Sequence, residues 1–128
     1  MQNRRNFMAA TAAFGAVMMA GPALAGQSRK GTFKGRSDHV TSGGVTFTKV
    51  GGKTYVVLQS DFAFDGAPDP KVALGRNGYD KSTVLGALRS NSGEQRYEIP
   101  ASMSVEGVNE VWIWCEQFNV PLGVATLH

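Results

Sequence analysis

One cysteine and two histidines are all that the 128-residue chain holds of those two ligand types. That scarcity excludes an internal disulfide, and it excludes a structural zinc site, which needs four Cys or His ligands in most cases. Blue copper needs two histidines and a cysteine held close together, and nothing suitable follows Cys115. There is no C-x-x-C-H, so a covalently attached c-type haem is excluded too. No catalytic triad, nucleophile elbow or phosphate loop is present, and Gly75-Arg76-Asn77-Gly78 reads as a turn. Long apolar runs at three- and four-residue spacing behind a cap are also missing, which leaves no helix signal in the body of the chain.

What is there begins with an address. The chain opens MQNRRNFMAATAAFGAVMMAGPALAGQ. Arg4 and Arg5 are followed by a mildly apolar Ala- and Gly-rich run that ends at Ala23-Leu24-Ala25, a small-x-small cleavage pattern. Arg4-Arg5-Asn6-Phe7-Met8 resembles a twin-arginine signal. Residues 1–25 are therefore expected to be a cleavable bacterial export signal and the mature protein to be periplasmic, with no stable membrane insertion after cleavage. Residues 26–30 are expected to be a flexible lead-in and residues 31–128 a single domain, a length of about 100 residues that suits one core. The formal charge is +3. Loss of Arg4 and Arg5 brings it to about +1, so no nucleic-acid or membrane surface is read from the basic pI.

The mature part reads as strands. Val45 to Val50 alternates, Gly51-Gly52 turns, and Lys53 to Leu58 returns, a hairpin pattern. Further strands are expected at Lys71 to Leu74, Val84 to Leu88 and Gln95 to Ile99. Two more are expected between Glu110 and Leu127, broken near Asn119 to Pro121. Turn residues at short intervals point to an all-β fold, a small antiparallel β-sandwich or barrel. Within Trp112-Ile113-Trp114-Cys115-Glu116-Gln117-Phe118, strand parity puts Val111, Ile113 and Cys115 on one face and Trp112, Trp114 and Glu116 on the other. The first set reads as core and the second as a partly covered aromatic face, either a docking surface or an electron path. A thiol beside Val and Ile is desolvated, and desolvation makes a thiol inert. Yet an unpaired cysteine in an oxidising compartment also suggests an intermolecular bridge or chemistry. Asp61, Asp65 and Asp69 lack the alternating spacing of a calcium loop and read as turn formers.

An ordered set of segments is more specific. Gly31-Thr32-Phe33 and His39-Val40-Thr41-Ser42-Gly43 come first. Asp61-Phe62-Ala63-Phe64-Asp65-Gly66-Ala67-Pro68-Asp69 fits an F-x-x-x-G-x-P-D segment, and Tyr97-Glu98-Ile99-Pro100 fits Y-x-I/L-P. Trp114-Cys115-Glu116-Gln117-Phe118 fits W-C-x-x-F, and Gly123-Val124-Ala125-Thr126-Leu127 fits G-x-A-x-L. Together they resemble a DM13 domain over essentially the whole mature chain. Leu122 departs from that pattern, which more often has an aromatic residue there. The resemblance implies a small all-β domain with a role in electron transfer centred on Cys115. In the family proposal the sulfur is either a redox-active thiol or the ligand of a prosthetic group such as haem.

A haem b held by Cys115 would need an opposite ligand from His39 or Met103. His39 follows Asp38 near a turn and reads first as a surface histidine, His128 is the chain end, and Met103 suits gap filling. The expectation is thus an exported electron-transfer or thiol-redox module, rather than an independent enzyme, that meets a redox partner protein. The competing expectation is a non-catalytic β-sandwich that binds a partner or small ligand, with Cys115 as core filler.

Overall fold

The computed structural model describes residues 29–128, and the expected signal at 1–25 and residues 26–28 lie outside them. The strands are β1 (Arg29–Gly35), β2 (Thr41–Ser42), β3 (Gly44–Val50), β4 (Lys53–Leu58), β5 (Ala63–Phe64), β6 (Pro70–Gly75), β7 (Tyr79–Asp80), β8 (Gly86–Ala87), β9 (Gln95–Ile99), β10 (Glu110–Cys115) and β11 (Val120–Thr126). A short 3-10 turn covers Lys81–Thr83. The main sheet runs β8-β6-β10-β11-β1-β3-β4-β9, with β7 on β6, and β2 pairs with β5 apart from it. Every pairing is antiparallel, so the expected all-β class holds. Among the described residues no helix is long and apolar enough to cross a membrane.

The sheet curls because β1 changes partner half-way. Arg29 to Thr32 pair with β3, and Phe33 to Gly35 pair with β11. The expected lead-in at 26–30 therefore ends early, since Arg29 and Lys30 already pair with Phe47 and Thr46. The curl brings the two sheet edges together. The Arg89 amide donates to the Tyr97 hydroxyl at 3.0 Å, and the Arg89 guanidinium donates to the Arg96 carbonyl and lies over the Tyr97 ring, 4.2 Å from its centre. This clasp joins the loop after β8 to β9 and closes a half-barrel.

Period-two alternation fills the inside. Val45 and Phe47 on β3, Val56 and Leu58 on β4, Val72 and Leu74 on β6, Tyr97 and Ile99 on β9, and Val111, Ile113 and Cys115 on β10 all join one core. Phe62, in the loop before β5, meets Phe33 edge-on at 5.5 Å and is buried in the same core. Removing side chains of this size from water is the main stabilising term in so small a domain.

Turn chemistry sets the register. Gly51 and Gly52 both have positive φ, 58° and 82°, which the two-residue β3–β4 hairpin requires. The β10–β11 turn spans Glu116 to Asn119, with Asn119 at φ 55°, a left-handed conformation that Asn tolerates. The expected break near Asn119 to Pro121 is displaced because a bulge lets the strand begin at Val120. The pairing steps from Ile113↔Gly123 to Trp114↔Pro121 and leaves Leu122 unpaired. The freed Leu122 carbonyl accepts instead from the Arg36 amide and the Thr41 hydroxyl, both at 2.9 Å. The expected strand at Val84 to Leu88 shrinks to Gly86–Ala87, with Leu85 and Leu88 bonded to Val72 and Pro70 carbonyls on either side.

Candidate functional site

β10 places its two kinds of side chain on opposite sides. Cys115 is the last residue of the strand, paired with Pro70 on β6 and Val120 on β11, and it is 1% exposed. Its neighbours in the core are apolar, and it is a free thiol. The thiol is sealed in the core, at the position directly before the β10–β11 turn.

The outer face carries an aromatic series. Trp114 stacks on Tyr79 with centroids 3.7 Å apart and planes 8° from parallel. Trp112 meets Trp114 edge-on at 5.7 Å, and the Arg36 guanidinium lies 5.8 Å from the centre of a Trp112 ring. The edge-to-face Trp112–Trp114 pair is of the kind favourable beyond its buried area. Polar edges are fixed as well. The Trp112 indole donates to Glu110 Oε1 at 3.0 Å, and that oxygen also accepts from the Gly78 amide at 2.7 Å. The Trp114 indole donates to Asn119 Oδ1 at 3.2 Å. Burial comes first among the causes that push the Tyr79 phenol above its ordinary value, followed by the nearby Glu116 and Asp80 charges. Its hydroxyl therefore stays protonated at neutral pH. Of the expected face, Trp112 is buried and Trp114 half-buried, so the partly covered aromatic surface is there, extended by a tyrosine.

A polar tether holds the turn that follows Cys115. Lys71 Nζ donates to Glu116 Oε1 at 2.7 Å and sits 3.0 Å from Asp69 Oδ1. Asp69 also accepts the Gln117 amide on Oδ2 at 2.9 Å, and its carbonyl accepts the Glu116 amide at 3.1 Å. The Glu116 and Asp69 hydrogen bonds, in that order, hold the Lys71 ammonium above its ordinary value.

The three aspartates act as turn formers. Asp61 accepts the Gly44 amide, Asp65 the Val40 amide and His39, and Asp69 the tip. Among the described residues no group of three or more Cys, His, Asp or Glu is placed to hold a metal ion.

The ligands expected around a haem are not brought together. His39 Nδ1 donates to Asp65 Oδ1 at 2.8 Å on the exposed rim, and its ring leans on Phe64. Met103 lies in the turn after β9 and lines clefts with Lys53 and Ile99 and with Arg76 and Thr83. Arg76 follows the Gly75 end of β6, whereas Cys115 pairs with Pro70 at the start of that strand. Five residues of strand, at about 3.3 Å each, separate the two levels. A haem with Cys115 on one side and Met103 or His39 on the other does not fit this arrangement, because the sulfur faces packed core and each second ligand is engaged or distant.

Residues 32–127 match the family described as Electron transfer DM13. The chain belongs to this family. No curated protein and no solved structure matches it. The electron-transfer role expected from the resemblance is thus shown at the level of the family. The fold also gives physical reasons for the DM13 segments. A Cβ on Gly123 would lie 2.7 Å from Thr41 Cβ and Oγ1, so the glycine lets β2 cross β11. Ala125 and Leu127 are core, and Leu122, where the family more often has an aromatic residue, is 1% exposed. Sequence reasoning missed Tyr79, Lys71 and Lys81 as neighbours of the tryptophans. No local spacing signals them, since they come from strand pairing and from the turn after β7.

Proposed function

We propose that this DM13 domain is an exported, periplasmic thiol-redox module in which Cys115 is the active sulfur, reached when the β10–β11 tip lifts. The observation that carries the reading is the place of the only cysteine. It lies at the last position of β10, directly before a turn held by the Asp69 and Glu116 carboxylates sharing the Lys71 ammonium and by two amide bonds to Asp69. Phe118 in that turn is 59% exposed and adds no cover. Thiol–disulfide exchange requires direct contact between sulfurs, and local openings of this kind cost less than global unfolding.

In the open form the Cys115 thiol loses its proton to solvent and its sulfur attacks a disulfide of an oxidised partner protein. The Cys115–partner disulfide forms, and the partner's other sulfur leaves as a thiolate. A dithiol protein then attacks Cys115 Sγ with one sulfur, releasing the first partner, and its second sulfur resolves the new bond. Cys115 returns to the thiol, and two electrons and two protons have passed from the dithiol to the disulfide.

The test is the reaction of the folded protein with excess aromatic disulfide reagent. One thiol per chain is expected to react, far more slowly than free cysteine. Asp69→Ala, which removes the Gln117 bond and one Lys71 contact, is expected to speed the reaction about ten-fold, the equivalent of about 1.4 kcal/mol. Reaction only at the rate of global unfolding, unchanged in Asp69→Ala, would refute the reading.

The second reading, a binding domain with Cys115 as core filler, is favoured by the 1% exposure of the thiol. It predicts that latter result. An absorbance spectrum of protein taken from its own compartment checks the haem expectation independently, because a bound haem would show as a visible chromophore.

A further inference from the structure

We infer that the outer face of β10, with Trp114 and Tyr79 at its centre, docks an acidic partner protein of the thiol–disulfide type. This rests on the electron-transfer reading above and names the kind of partner that reading requires.

Charge balance around the face carries the argument. Lys34 pairs with Val124, and Val124 with Trp112, so all three side chains share the outer face. Arg36 lies over Trp112. Lys81 lines a cleft of about 470 Å³ with Tyr79, Trp114, Glu116 and Asn119. Lys34, Arg36 and Lys81 have no ion-pair partner among the described residues. The acids of the same face are held in fixed contacts, which leave their charge only partly paired. Asp69 and Glu116 pair with Lys71, Asp80 pairs with Arg76, and Glu110 accepts from Trp112 and Gly78. The face thus carries five cations against four acids, and Lys34, Arg36 and Lys81 are the cations beside its aromatic centre that lack an ion-pair partner among the described residues. An aromatic anchor within a charged rim is the usual build of a docking patch, and open cations steer and select carboxylates. Phe118 and Val120, two of the four exposed large apolar residues among the described residues, stand in the adjoining turn and at the start of β11. A partner seated on this face lies beside the β10–β11 turn, next to which Cys115 ends β10 with its side chain on the opposite side of the sheet.

The test uses an acidic and a basic protein of the thioredoxin fold as probes, each in its oxidised form. Because both tryptophans of the chain lie on this face, binding is read from their two indole N–H signals in a heteronuclear NMR titration. The acidic probe is expected to shift both signals at low salt. The Arg36→Glu/Lys81→Glu double variant is expected to weaken it about ten-fold, and added salt is expected to weaken it further. Equal binding of the basic probe, shifts confined to another face, or no shift with the acidic probe would overturn the proposal. Cys115→Ala is expected to bind the acidic probe as the native chain does. Binding retained in Cys115→Ala beside an unreactive native thiol would sink the redox reading alone, and a reactive thiol without binding would sink the docking proposal alone.

Discussion

Replacing the sulfur of Cys115 by two different small groups separates a sealed thiol from a wet one. In Cys115→Ala the loss resembles removal of one buried methylene-sized group, about 0.8 kcal/mol. The void left behind adds to it if the strands do not collapse, for a total between about 1 and 2 kcal/mol. In Cys115→Ser most of the volume stays, but a hydroxyl replaces the sulfur. Cys115 has ladder partners on both sides, Pro70 and Val120, and its side chain lies within the apolar core. An unsatisfied buried hydroxyl costs about 1–3 kcal/mol. The serine variant is therefore expected to be no more stable than the alanine variant, although serine is closer to cysteine in shape. For a domain of about 100 residues each kcal/mol moves the melting temperature by about 4–8 °C, so calorimetry resolves the three proteins easily. A serine variant that melts with the native chain would refute the reasoning, since it would mean that water already reaches the site. The closed state would then not protect the thiol, and its reaction with disulfides would need no opening.

Two further outcomes follow from the same geometry. Tyr97→Phe removes the hydroxyl that accepts the Arg89 amide and is bonded to Gln95. It is expected to cost about 1–2 kcal/mol in chemical denaturation and to raise amide exchange in the loop after β8, and an unchanged midpoint would show that the clasp does not close the barrel. The Val40 amide, then the His39 side chain, hold the Asp65 carboxyl below its ordinary value of 3.8. Its contribution to stability is accordingly present above that value and is lost as pH falls through the lower folded one. Asp65→Asn is expected to flatten the acid limb of the stability curve below about pH 4, and an acid limb identical to the native one would contradict this.

Much of the fold was legible locally. The Gly51-Gly52 turn between two alternating runs specifies a hairpin, because only glycine takes both positive φ values without strain. Parity along β10 separated Cys115 from the tryptophans for the same local reason, that neighbouring side chains of a strand point to opposite faces. The boundaries that were misplaced depend on partners. The break after Cys115 moved because the bulge at Leu122 is stabilised by Arg36 and Thr41, distant in sequence. Arg29 and Lys30 joined β1 because β3 supplies their pairing.

The candidate site divides along the same line. Residue types and order alone determined that one thiol would sit in an all-β core beside two tryptophans, and that no disulfide or zinc cluster could form, since these follow from composition and from a period of two. Tertiary structure alone decided that Tyr79 would cap Trp114, that Lys71 and Asp69 would tie down the turn after Cys115, and that His39 would bond to Asp65. Those contacts join segments far apart in the chain, and only the curl of the sheet, fixed where β1 changes partner, brings them within reach of one another.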